Sequence, residues 1–259
     1  KLSSSSALVL GACAFLIKGS YIMKKESYFG VDVSPLSYEE ILADVEERMK
    51  QDKKSTIIAV NPEKVMAAEK NAQLRELINN STYGIPDGVG ILLASKLKKG
   101  SITSRVTGVD MMDRLLQFAA EKGYRVFLYG AKEEVVSVAK QKIEEKYPKI
   151  NISGYENGYV QDPEIVVNKI NEAKADLLFV AMGSPKQELW IREHMDQVSA
   201  KVFQGVGGSF DVFAGHVKRA PAFYRKLGLE WFYRLMKEPQ RFKRQLALPK
   251  FLMRVIRSK

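Results

Sequence analysis

Apolar positions along this chain follow two alternating rhythms. Short runs at 55–60 (STIIAV), 125–129 (RVFLY) and 176–181 (DLLFVA) are apolar almost throughout and read as buried strands; 83–85, 150–155 and 201–205 read as further strands. Between them apolar residues recur three and four apart. Residues 108–122 set Met111, Met112, Leu115, Leu116 and Ala119 on one helical face, and 62–77 repeats the spacing at Val65, Met66, Leu74 and Leu77. Helices are expected over 88–97, 132–147, 163–173 and 185–195 as well. This alternation predicts an α/β fold, a parallel sheet with right-handed crossovers, covered on both faces. No repeat of 20 to 50 residues and no low-complexity linker interrupts it.

The ends of the chain differ from this pattern. Residues 7–17 form an apolar run of eleven, too short to span a bilayer. It could be read as a signal peptide, but Met23-Lys24-Lys25 reads as a natural beginning, so 1–22 is set apart as a leader. That leaves a core over 23–215 and a C-terminal appendage over 216–259. The charge supports this division. The net charge is +11, and residues 216–259 hold thirteen Lys or Arg against Glu230 and Glu238, while the remaining 215 residues carry 28 groups of each sign. An excess confined to one end points to an anionic partner: a membrane surface, a nucleic acid or a phosphorylated substrate. Cys13 is the single cysteine and His194 and His216 the only histidines, which excludes an internal disulfide, leaves too few ligands for a His-based zinc site and suits a reducing compartment.

In parallel sheets ligands sit beyond the carboxyl ends of the strands. Five such ends carry chemistry: Asn61-Pro62-Glu63, Pro86-Asp87-Gly88, Gly130-Ala131-Lys132, the segment Gly183-Ser184-Pro185-Lys186-Gln187-Glu188, and Gly205-Val206-Gly207-Gly208-Ser209-Phe210-Asp211. Each also has a plain reading as a turn or helix entry, with Asp87 as a cap and Pro185 at a first helical position. Neither GxGxxG nor GxxxxGK[ST] occurs, which argues against a nicotinamide-dependent oxidoreductase and against a P-loop. A nucleotide diphosphate could still bind through backbone N–H groups. No Asp-x-Asp pair is present to hold a divalent ion on a diphosphate, so no metal or other cofactor is expected and basic side chains are expected to neutralise a leaving group.

The basic tail interleaves charge with Trp231, Phe232, Leu235, Phe242, Leu246, Phe251, Leu252, Val255 and Ile256, and Pro239 breaks any single helix through it. The favoured reading is an interfacial segment on an anionic membrane. A helical hairpin packed on the core with a solvated basic face is the plain alternative, and nucleic-acid binding is disfavoured because no such motif occurs.

Taken in order, these segments together with Arg105-Val-Thr-Gly108-Val-Asp110, Gly154-Tyr, Gly158-Tyr, Ala214-Gly215, Lys218-Arg219-Ala-Pro221, Gly228-Leu-Glu-Trp231, Arg234-Leu and Glu238-Pro-Gln-Arg241 resemble the WecG/TagA/CpsF family of glycosyltransferases over about 28–246. The resemblance implies a Rossmann-like fold and an inverting transfer of N-acetylmannosamine from its UDP donor. The implied acceptor is undecaprenyl-diphospho-N-acetylglucosamine at the cytoplasmic leaflet, and the product a teichoic acid linkage unit. The family pattern often has threonine two positions before the motif asparagine, where this chain has Ala59. Inversion needs a base for the acceptor hydroxyl. Asp87 matches the motif aspartate and is the first choice, with Asp110, Glu188 and Asp211 behind it. Arg234, Arg241 and Arg244, with Lys218 or Arg219, are expected to stabilise the departing UDP. Asn61, Gly88, Gly108, Gly130, Gly183, Lys186, Gln187, Gly205, Val206 and Gly207 are expected to bind substrate. Rival classes are a non-catalytic membrane scaffold and a transferase for another surface polysaccharide. A homo-oligomer is left open.

Overall fold

The computed structural model describes residues 16–17, 20–21, 24–221, 223–224, 228–237 and 246–258, with only the backbone of 16–17, 20–21, 234 and 237. Cys13, most of the leader, Arg241 and Arg244 lie outside the described residues.

The described chain opens with two antiparallel pairs, β1 (Leu16–Ile17) with β2 (Ser20–Tyr21) and β3 (Glu26–Tyr28) with β4 (Val31–Val33), followed by helix α1 (Tyr38–Lys50). Six strands come next: β5 (Ser55–Val60), β6 (Tyr83–Pro86), β7 (Arg125–Gly130), β8 (Asn151–Glu156), β9 (Leu177–Ala181) and β10 (Val202–Gly205). All six pair in parallel, in the order β6-β5-β10-β9-β7-β8. Helices α2 (Pro62–Lys70) and α3 (Ala72–Asn79) join β5 to β6, and α4 (Val89–Lys98) and α5 (Gly108–Lys122) join β6 to β7. Helices α6 (Glu133–Lys146), α7 (Pro163–Glu172) and α8 (Lys186–His194) fill the next three connections. After β10 come α9 (Ser209–Phe213), α10 (Glu230–Lys237) and α11 (Ala247–Arg257).

The pleat explains why the strands read as continuous apolar runs. Successive side chains point to opposite faces, so Ile57, Val126, Leu128, Leu177, Phe179 and Val202 pack with α1, α5 and α6 on one side. On the other side Ile58 and Val60 meet α2, α3, α4 and α11, while Phe127, Leu178, Val180 and Phe203 meet α7 and α8. The sheet is covered on both faces, as expected.

The expected helix over 62–77 is two helices. Asn71 is extended between them, and its side chain accepts from Leu74 N at 3.0 Å, ending one helix and capping the next. Helix α1 carries a signal that the periodicity reading passed over. Ser37 and Glu40 form a capping box ahead of Ile41 and Val45. The tail differs most from expectation. Phe251 and Val255, read as membrane anchors, are both 0% exposed. Phe251 stands edge-on to Tyr28 and Phe29, each at 5.9 Å between ring centres. Arg254 lies over the Phe29 ring and grips both carboxylate oxygens of Glu69, with Nη2 to Oε1 at 2.6 Å. An amphipathic helix presents the same pattern whether membrane or protein core covers its apolar side, and here the core covers part of it.

Candidate active site

The five chemistry-bearing turns leave five consecutive strands, β6, β5, β10, β9 and β7, so they line one rim of the sheet in the order Asp87, Asn61, Gly207, Gly183, Gly130. Only the edge strand β8 stands outside this row.

At the β6 and β5 end of the rim the residues enclose a cavity of about 190 Å³. It is lined by Asn61, Asp87, Gly88 and Gly108 from the strand-end turns and the start of α5, by Arg105, Thr107 and Arg219, and by Gly228, Glu230, Trp231, Ala247 and Leu248 from the C-terminal segment. Local chemistry fixes each position. Asn61 is the cap of α2, its Oδ1 accepting from Lys64 N at 2.8 Å. Asp87 is held at the end of β6 by its own N–H, which donates to Val60 O at 2.9 Å. Gly88 has φ +90 with open space where a Cβ would point, so the backbone there faces the cavity bare. Gly108 faces Ala59, and a Cβ on it would come within 3.2 Å of the Ala59 methyl.

Arg219 reaches the body through Asp110, at 2.7 Å, and Thr107 Oγ1 donates to the other carboxylate oxygen at 2.7 Å. Thr107 also caps α5 by accepting from Asp110 N, and its own N–H donates to the Tyr38 hydroxyl at 2.8 Å. Burial pushes the Asp110 carboxyl up, but hydrogen bonds from Arg219 and Thr107 and the charges of Arg219 and Arg105 outweigh it and hold the group below the usual carboxylate range. Asp110 is thereby committed to holding Arg219. A carboxyl lowered on folding stabilises the protein at pH values above its unfolded value, and that contribution fades as pH falls from about 4 towards the folded value. Asp110→Asn is therefore expected to lower the melting temperature at pH 6, with the deficit shrinking on acidification to pH 3; thermal unfolding of both proteins across that range checks it.

Further along the rim the glycine turn after β10 is closed by protein groups. Gly207 N donates to Gln187 Oε1 at 2.9 Å, and Gln187 packs so tightly over Gly205 that a Cβ there would lie 2.6 Å from its amide nitrogen. Val206 N donates to Val180 O, tying the turn to β9. Gly130, φ +115, lies against the Ala181 carbonyl, where a Cβ would sit 2.4 Å from the oxygen; its place is explained by backbone packing. Gly183 has φ +76 and open space around it. Lys186 and Lys218 are exposed, and Asp211 lies in the first turn of α9 beside Gly208. Glu188 is buried under the rim with Lys64 and Gln187 as partners, outside the cavity that holds Asp87. Arg234 belongs to α10, and its side chain is outside the described residues, as are Arg241 and Arg244.

Several cavity residues were not singled out as site residues in the sequence. Arg105 lies 3.4 Å from Glu230, a pair separated by 125 positions, and Arg219 and Asp110 are similarly remote, so neither pairing leaves a local trace. Thr107 did leave one: Thr-x-x-Asp ahead of an apolar helix is a capping signature. Among the described residues no group of three or more His, Cys, Asp and Glu is assembled for a metal ion.

Known proteins resemble this chain over most of its length. The N-acetylglucosaminyldiphosphoundecaprenol N-acetyl-beta-D-mannosaminyltransferase of Bacillus subtilis (strain 168) is 43% identical over 204 residues, 79% of this chain and 80% of that protein. Proteins of the same description from Bacillus spizizenii and Staphylococcus aureus (strain MW2) are 39% and 40% identical, over 80% and 78% of this chain and 80% of each relative. The family described as glycosyl transferase WecG/TagA/CpsF matches residues 26–259, nearly the whole chain, and the chain belongs to that family.

Proposed function

We propose that this chain transfers N-acetylmannosamine from UDP-N-acetylmannosamine to the 4-hydroxyl of undecaprenyl-diphospho-N-acetylglucosamine, with inversion, to make a linkage unit for wall teichoic acid. The observation that carries this reading is the cavity at the β6 and β5 strand ends. It brings the Asp87 carboxylate together with two guanidiniums, Arg105 and Arg219, and a wall drawn from the basic C-terminus. The relatives named above act on a polyprenyl-diphosphate acceptor of this kind.

In the proposed reaction the acceptor oxygen attacks the anomeric carbon of the donor. The new C–O bond forms as the bond from that carbon to the UDP oxygen breaks. The hydroxyl proton passes to the Asp87 carboxylate, and the electron pair of the broken bond leaves on UDP. The nucleotide diphosphate lies along the turns at Gly183 and Gly207, with Gln187 between them, and the sugar extends past Asn61 into the cavity. Cations set in place before reaction meet the developing charge without reorganising. Arg105 and Arg219 line the cavity, and Arg234, Arg241 and Arg244 join them in this reading. No divalent ion takes part.

The chain works as a peripheral protein on the inner face of the plasma membrane. No helix among the described residues is long and apolar enough to cross a membrane. Phe223, Phe232, Met236, Met253 and Ile256 are exposed within the basic segment, and such a mixture suits an anionic leaflet.

The test is a transfer assay with a panel of UDP-sugars and a lipid-diphosphate N-acetylglucosamine acceptor, with and without EDTA. Product with UDP-N-acetylmannosamine, undiminished by chelation, is expected. Transfer from a different UDP-sugar alone would reassign the donor to another surface polysaccharide, and loss of activity in EDTA would require a metal on the diphosphate.

A further inference from the structure

The cavity residues do not account for the most deeply buried charged pair among the described residues. Lys64 Nζ lies 2.8 Å from Glu188 Oε1, with the Glu188 side chain 1% and the Lys64 side chain 12% exposed. Glu188 Oε1 also accepts from Gln187 Nε2 at 3.2 Å. Gln187 in turn accepts from Gly207 N, and Lys64 donates its backbone N–H to the Asn61 cap. These contacts make one continuous chain, Asn61–Lys64–Glu188–Gln187–Gly207. It runs beneath the rim from the strand end beside the cavity to the glycine turn after β10.

An ion pair in this position is a poor device for stability alone, since an apolar pair of similar volume generally packs as well or better. What an apolar pair cannot do is fix the direction of an amide. Gln187 has one donor side and one acceptor side. Glu188 takes its N–H, which turns the carbonyl oxygen towards Gly207. Gly207 has φ +52, a conformation that glycine adopts without strain but that nothing in its own side chain enforces. The turn is therefore held from outside, by Gln187.

We infer that Glu188, with Lys64, is a positioning residue: it orients Gln187 so that the Gly205–Gly208 turn is preset to receive the nucleotide diphosphate. This rests on the reading of that turn as part of the donor site. It gives Glu188 a role distinct from that of a substrate ligand or base, acting only through Gln187.

The experiment uses the full chain and titrates UDP by calorimetry against the wild type, K64M/E188L, Q187A and the triple variant. The walls next to Glu188 include Ile57, Ile58, Leu77, Ile191 and Met195, so leucine and methionine suit the space and the double variant should fold with an unchanged melting temperature. Its UDP Kd is expected to rise about tenfold, with donor KM rising and acceptor KM unmoved. Adding Q187A in that background should then cost less than Q187A costs in the wild type, because both changes release the same turn. Lys64→Arg, which keeps the ion pair, should restore donor KM towards the wild-type value when compared with Lys64→Met. A folded double variant that binds UDP as the wild type does would overturn the inference alone, as would Q187A costing the same in both backgrounds. Failure of the wild type to bind UDP would instead overturn the functional reading and the inference with it.

Discussion

Asp87→Asn is expected to lower kcat by roughly a thousandfold, within the range of two to four orders of magnitude typical for loss of a general base. The amide keeps the size and the backbone anchor of the residue, because the bond from residue 87 N–H to Val60 O does not involve the side chain. The cavity should keep its shape, and UDP should bind with near-unchanged affinity. Loss of turnover without loss of donor binding is the signature of an interaction needed only in the transition state. Near-normal turnover in Asp87→Asn would remove Asp87 as the base. The geometry narrows where the role could then move. Asp110 is bonded to Arg219 and Thr107, and Glu188 is buried with Lys64 and Gln187. Asp211 lies on α9 beyond the glycine turn. None of the three lines the cavity.

The sheet was legible in the sequence because its strands are buried on both faces, and burial writes itself as unbroken apolar runs such as Leu177–Ala181. The rim was legible for a related reason. Once the strands are known, chemistry collects just beyond their carboxyl ends; that rule picked out the turns holding Asp87, Asn61 and Gly88, and the family resemblance then gave them roles. What could not be read were the features made by contact between distant parts of the chain. Glu188 was read as a reserve candidate for the base, because it follows a strand end. Its commitment to Lys64, 124 positions away, appears only in three dimensions. Arg219 was read as a cation for the departing UDP, but its pairing with Asp110, at the start of α5, was not visible in the sequence. The break at Asn71 was hidden because polar residues on either side of it fit an exposed helical face as well as they fit a junction.

Phe251→Ala is expected to destabilise the protein by roughly 3–5 kcal/mol, the usual cost of removing a buried aromatic ring from a core. For a chain of this size that corresponds to a fall in melting temperature of about 10 °C. The ring is fully enclosed between α11 and the β3–β4 hairpin, in contact with Tyr28 and Phe29. The same helix carries Leu248 to the wall of the cavity, where it lies so close to Gly90 that a Cβ there would meet its methyl at 2.5 Å. Loosening α11 should therefore open the cavity, and activity should fall at temperatures well below the melting point. The exposed residues of the same helix make the contrasting case. Met253 and Ile256 are 51% and 54% exposed. Changing both to serine should leave the melting temperature within about a degree or two while weakening sedimentation with anionic vesicles. If Phe251→Ala proved as stable as the wild type, α11 would not be part of the core. If the serine pair left vesicle binding intact, the membrane-facing surface would have to lie elsewhere in the basic segment.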